Sequence, residues 1–214
     1  INAVFFLRNF WDGRASDTFN AVTGVGASDA RASVLVAAGS ALAAETVRLG
    51  QSSLASQAVS PPLDAVEMSF EGRRLADLGR KLLPLAPLAG QIVALDDSVL
   101  GVWASAGATG LQAGVTYAAL IRAAFQPAFW SSAAVVDADG RLIVQTGEPS
   151  GPHEFSQMAY NFGLFFGLAV QAYQATLVSD DSPVDRFLAG DASALNGIQQ
   201  QGLAAFRAGG SQCT

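Results

Sequence analysis

Trp11 stands in Phe10-Trp11-Asp12-Gly13-Arg14-Ala15, where a large flat ring adjoins an acid, a glycine and a guanidinium. Further on, Gln57 and Glu67 lie ten positions apart in Gln57-Ala58-Val59-Ser60-Pro61-Pro62-Leu63-Asp64-Ala65-Val66-Glu67-Met68. A carboxyl such as Glu67 can take up and return a proton. An amide such as Gln57 can hold a polar ligand by a hydrogen bond without adding charge. These residue types are compatible with proton-transfer or redox chemistry but do not require it. Trp11 can equally be a core aromatic in a turn, and Glu67 a surface acid. Cys213 is the single cysteine and follows Gly209-Gly210 one residue before the last position. One cysteine closes no internal disulfide, so it leaves the redox compartment open.

The elements that must position these residues can be read in chain order. Residues 1–11 are apolar and aromatic, punctuated by Asn2 and Asn9, and predict a short helix or irregular strand running into a turn at Asp12-Gly13. Loop follows to Gly26. Ser33–Ala37 and Glu45–Leu49, split by Gly39, predict a small β-hairpin. Pro61-Pro62 ends any helix before it, and a new helix is expected from Glu67-Met68-Ser69. Leu75, Leu78, Leu82 and Leu83 recur at helical spacing, with Arg73, Arg74, Arg80 and Lys81 on the other side. Those cations read as a solvated face or as a docking point for an anionic partner or group. A second helix is predicted over Val115–Phe125. Apolar residues on both sides of Asp139-Gly140 predict a second hairpin. Glu154–Leu177 is the longest helix candidate and is apolar nearly all round, which predicts burial. Asp191 is the expected cap of a last helix through Leu195, Ile198, Leu203 and Phe206.

The composition excludes several classes. With 214 residues the chain can bury a sizeable core. Half the residues are hydrophobic and 14% are charged, which argues against disorder. A net charge of −6 without a basic run argues against a nucleic-acid partner. The most apolar run, Phe162–Val170, falls well short of the roughly twenty residues of a bilayer span. There is no Gly-x-Gly-x-x-Gly after a strand, no phosphate-binding Gly-Lys-Ser/Thr and no Gly-x-Ser-x-Gly. His153, the single histidine, sits in a loop before a helix and reads as structural or surface. Met158, Tyr160 and Tyr173 read as core, although Met68 and Met158 are residue types that can ligate a haem iron. Asp96-Asp97 and Asp180-Asp181 lack the spacing of a calcium loop and read as caps or turns.

Phe10–Ala15, the Gln57/Glu67 pair and the segment from Thr176-Leu177-Val178 through Ser182-Pro183, Asp185-Arg186 and Gly190-Asp191 to Cys213 together resemble the bacterial di-haem cytochrome c peroxidases and their relatives. The resemblance implies that Trp11 lies between two haems and relays electrons. It implies that Gln57 and Glu67 face the peroxide-binding haem, Gln57 holding bound oxygen or water and Glu67 shuttling a proton. Phe10, Trp11 and Arg14 would then contact a haem, and Cys213 would be the first cysteine of the second haem attachment motif. The family's iron-ligating histidines belong to regions outside this sequence, so the chain is read as a piece of a longer one. The block 16–53 is absent from the short peroxidases and resembles a longer branch that includes the di-haem rubber oxygenases. In that branch a phenylalanine on the inserted loop packs over the oxygen-binding haem; its place here falls near Val25, so the oxygenase-specific residue is missing.

These readings predict a mainly α-helical fold carrying one or two small β-hairpins. Residues 1–178 would be the later part of a first haem domain, with insertions at about 16–53 and 131–147, and 179–214 a linker and first helix of the next. The resemblance implies haem c, two per parent chain, and leaves calcium as a further cofactor. It implies hydrogen peroxide reduction with electrons from a small redox protein, in the periplasm or outside the cell. The alternatives are haem-dependent oxygenation of a hydrophobic substrate with O2, a non-enzymatic electron-transfer cytochrome, or a helical binding module without cofactor.

Overall fold

The computed structural model describes residues 2–39 and 41–208. Cys213, the expected haem attachment point, lies outside the described residues. Helices predominate, but two small antiparallel sheets and long runs of turn make the fold mixed rather than mainly α.

The first hairpin pairs β1 (Val34–Ala38) with β2 (Ala41–Glu45), in the register Val34 opposite Glu45 and Ala38 opposite Ala41. Val34 and Leu35 face the core. The second hairpin pairs β3 (Val135–Val136) with β4 (Leu142–Val144), and β3 also pairs with β5 (Phe155–Ser156), giving the order β4-β3-β5. Its turn is built by Asp137, whose carboxylate accepts the N–H groups of Asp139 and Arg141 at 2.8 and 2.9 Å, while Gly140 adopts φ +79°. The second hairpin matches the expectation from sequence; the first forms where expected, but its second strand is Ala41–Glu45 rather than Glu45–Leu49, because the chain turns back directly after Gly39 (φ +61°).

The core is organised on α4 (Gln157–Tyr160) and α5 (Phe162–Ala175), one apolar stretch divided at Asn161. Against it pack α1 (Ser53–Ala58) and α2 (Leu75–Leu82), with α3 (Tyr117–Ala124) contributing Ile121. Close approach is possible because α5 carries glycines at the contacts. A Cβ on Gly167 would lie 2.5 Å from the Phe19 ring, and one on Gly163 would meet the Ala21 carbonyl oxygen at 2.2 Å. The single long buried helix expected over Glu154–Leu177 is therefore two helices, and only Phe162–Gly167 of α5 is inside. Tyr173 is 66% exposed rather than core. Met158 is buried as expected.

Two other helix boundaries differ from expectation. No helix begins at Glu67: Asp64 accepts the N–H groups of Val66 and Glu67 with its carboxylate and those of Met68 and Ser69 with its carbonyl oxygen, which closes a turn. The last helix, α7 (Gly197–Arg207), is capped by Asn196, not Asp191. Asn196 and Gln199 bond one another's backbone N–H groups, a reciprocal cap. Asp191 instead bonds Ser193. Ahead of it lies the unforeseen α6 (Pro183–Leu188), started by the same device from Ser182 and Asp185. Residues 84–116 form turns around a satellite cluster of Val93, Ala104 and Leu111.

The main core is joined across its parts by two fully buried amides. Gln157 Nε2 donates to the carbonyls of Leu35 and Ala128 at 2.8 and 2.7 Å, and its Oε1 accepts from Ser132 N–H at 2.8 Å. Asn161 Nδ2 donates to Leu35 and Phe129 at 2.7 and 2.8 Å, and its Oδ1 accepts from Leu35 N–H at 2.8 Å. Replacing Asn161 by leucine removes three bonds and strands a buried N–H. We expect a loss of about 3 kcal/mol or more, read as a lowered urea midpoint with an unchanged slope; a loss below about 1 kcal/mol would mean the amide does not join these segments.

Candidate functional site

The loop that carries Trp11 is closed at its base by backbone pairing of Asn9 with Ala15, through N–H···O bonds of 3.4 and 3.3 Å. Asn9 is itself buried, and its Nδ2 donates to Ser53 Oγ at 2.9 Å. Ser53 Oγ in turn donates to the Phe6 carbonyl. The loop is thus pinned to the first turn of α1. Gln57 follows Ser53 by four residues and so shares its face of α1. Gln57 is half-buried.

Within the loop the chain turns twice through left-handed backbone, at Phe10 (φ +64°) and Gly13 (φ +69°). Glycine adopts that conformation freely, whereas a phenylalanine there costs about 1–3 kcal/mol and persists only where its surroundings impose it. Arg14 supplies part of that restraint. Its guanidinium lies 3.8 Å from the centre of the Phe10 ring. The same group reaches Asp12 and Glu67, each at 3.3 Å. Arg14 therefore joins the Phe10–Ala15 loop to the turn bearing Glu67, across 53 positions of sequence.

Asp12 is held below the ordinary carboxyl value of 3.8, chiefly because it accepts the backbone N–H of Arg14 and also because it faces the Arg14 guanidinium. Both pairs are partly exposed, and ion pairs of that kind contribute little stability. Their effect is on position.

Trp11 is not a core aromatic. It is 94% exposed. Phe5, Phe6 and Leu7 are exposed on the same segment, as are Val66 and Met68 on either side of Glu67. An apolar surface of this extent on two segments joined by Arg14 is suited to being covered by a flat apolar group or by another protein segment. At its edge the Glu67 carboxylate pairs with the Arg14 guanidinium, and a carboxylate can take up and return a proton. The surroundings fit one face of a haem. They do not form a metal-ligand set: among the described residues no three His, Cys, Asp or Glu side chains come together.

The other sequence candidates fall elsewhere. His153 is exposed in the loop before β5, where Arg80 bonds the carbonyls of Gly151 and Pro152. Asp97 caps a turn through the N–H groups of Val99 and Leu100, and Asp181 pairs with Arg186. Val25 is half exposed. Among the described residues no hydrogen bond joins Gln57 to Glu67; Glu67 bonds Arg14 instead. What sequence reading did not identify is the anchor, Asn9 to Ser53, and the bridge, Arg14 to Glu67. Each rests on residues far apart in the chain.

No family model matches the chain, and no solved structure matches it. Among curated proteins it is similar to the cytochrome c551 peroxidase of Pseudomonas aeruginosa, 42% identical over 71 residues. That stretch is 33% of this chain and 17% of the relative, so the chain spans only a small part of the protein it matches. The likeness is one of cytochrome c peroxidase type and extends to about a third of the chain.

Because the folded-state value of Asp12 is depressed, the stability it contributes is present above pH 3.8 and is lost as pH falls through the lower, folded value. The Asp12 carboxyl carbon, followed by NMR, should titrate with a midpoint below 3.8, and Arg14→Ala should raise that midpoint. A midpoint at or above 3.8 in the unaltered protein would mean that the Asp12–Arg14 clamp does not form.

Proposed function

We propose that this chain supplies one face of a haem site in an exported di-haem c-type oxidoreductase that reduces hydrogen peroxide with electrons from a small redox protein. The observation that carries the reading is the Arg14 bridge, which ties the exposed Trp11 loop to Glu67 beside an uncovered apolar surface. The partial likeness to a cytochrome c551 peroxidase supports it.

The balance of the reaction is two electrons and two protons added to peroxide, giving two waters. Haem, when bound, supplies the electron chemistry at its iron. The chain's own residues do the rest. Glu67 moves a proton between the peroxide oxygens, and Arg14 holds its carboxylate toward the loop. Gln57 offers an amide that bonds the ligand without changing the charge of the site. Trp11 presents its ring for stacking against a haem edge and for electron relay, and Phe10 and Arg14 form the wall beside it. Cys213 attaches the second haem, and the periplasm or the cell exterior follows from that attachment chemistry.

The same surface could face O2 in an oxygenase, and product formed from a hydrophobic substrate without added peroxide would mark that activity. On the full-length protein, a pyridine haemochrome assay should give two c-type haems per chain. Glu67→Gln should keep both haems and their redox cycling while lowering peroxide turnover by at least about a hundredfold. Unchanged turnover in that variant would remove Glu67 from the mechanism, and absence of haem would overturn the reading as a whole.

A further inference from the structure

A cavity of about 590 Å³ opens where the loop before β1, the start of α2 and the turn of the second hairpin meet. It involves neither Trp11, Gln57 nor Glu67. Arg31, Arg73, Arg74 and Arg141 line it, against the carboxylates of Asp29 and Asp139. A chain of net charge −6 thus gathers four of its twelve basic residues around one opening.

Arg141 is neutralised by Asp139 at 3.1 Å. Asp29 is turned toward its own loop, accepting the N–H of Arg31 at 3.1 Å and the Thr23 hydroxyl at 3.4 Å. Arg31, Arg73 and Arg74 form no ion pair among the described residues. Four guanidiniums against two carboxylates leave the lining with an excess of positive charge, and such an excess concentrates anions in a cleft. Guanidinium groups match carboxylate and phosphate oxygens in paired hydrogen bonds. Apart from Ser33 and Tyr160 the rest of the wall is apolar, with Leu75 and Ala76 from the first turn of α2 and Leu63. Tyr160 adds a hydroxyl that burial pushes above its ordinary value of 10.0, so it stays protonated at neutral pH.

We propose that this cavity binds a small amphiphilic anion, its carboxylate or phosphate head held by Arg31, Arg73 and Arg74 and its short apolar body lying against Leu63 and Leu75. The inference is independent of the haem reading.

Calorimetric titration of the full-length protein with hexanoate, hexyl phosphate and hexanol tests it. One or both anions should bind saturably at one site per chain, the tighter of the two identifying the head group, and hexanol should bind at least about tenfold more weakly. The double change Arg73→Gln/Arg74→Gln should weaken anion binding at least about tenfold while leaving the circular dichroism melt in place, because both side chains are partly solvent-exposed. Lys81→Gln removes a cation from α2 without touching the cavity and should leave affinity unchanged. The proposal is overturned if neither anion saturates, if hexanol binds as tightly, if the double variant binds as well as the parent, or if Lys81→Gln loses as much.

Discussion

The rest of the fold depends on satisfying the backbone of Leu35 inside the core. Its N–H and carbonyl lie on β1 where no strand covers them, and they are met by the side chains of Gln157 and Asn161. Those amides stand four residues apart on one face of the α4–α5 stretch, and their remaining bonds reach Ala128, Phe129 and Ser132. A buried polar group without a partner is expensive, whereas a fully satisfied network selects one arrangement. The first hairpin, the 127–132 turn and the central helices are therefore fixed relative to one another by six directed bonds, and apolar packing of Phe155, Phe162 and Phe165 fills the space between. Asn161, the residue that divides the helix, is also one of the two whose side chains bond Leu35.

The candidate site borrows its rigidity from this core at one remove. α1 packs on α5, Ser53 of α1 holds Asn9, and Asn9 closes the loop that displays Trp11. Arg14 then sets the loop against Glu67. Exposed ion pairs contribute little stability, but here they act on a loop already closed at its base, where a small bias is enough to choose an orientation. The left-handed Phe10 marks the point at which local preference is overridden.

Charge is distributed unevenly in this acidic chain. Carboxylates such as Asp97, Asp185 and Asp191 are spent on turns and helix starts and held below the ordinary value of 3.8, Asp97 by the backbone N–H groups of Leu100 and Val99, Asp185 and Asp191 first by the side chains of Ser182 and Ser193 and then by backbone N–H groups. Arginines gather instead around the cavity at the start of α2. The two surfaces differ in kind: one is apolar with the Arg14–Glu67 ion pair at its edge, the other cationic with an apolar floor.

What the sequence by itself determined are the features whose physics is local. The second hairpin was legible because apolar, β-branched runs flank Asp139-Gly140, and the first strand of the first hairpin from Ser33–Ala37, but its partner strand, the alanine-rich Ala41–Glu45, carries no β-branched run and lies earlier in the chain than the expected Glu45–Leu49. The α2 stripe and the helix around Leu120 were legible from their spacing, and the chemical promise of Trp11, Gln57 and Glu67 from their types. The break at Asn161, the turn in place of a helix at Glu67 and the exposure of Trp11 were decided by tertiary structure. Asn161 looks like any polar residue in an apolar run until Leu35, 126 positions away, requires its amide. The N–H groups of Val66, Glu67, Met68 and Ser69 all bond back to Asp64, which closes one turn that does not continue as a helix. Arg14 and Glu67, and the four arginines of the cavity, come together only because segments distant in sequence are packed side by side, and no local pattern encodes a meeting of that kind.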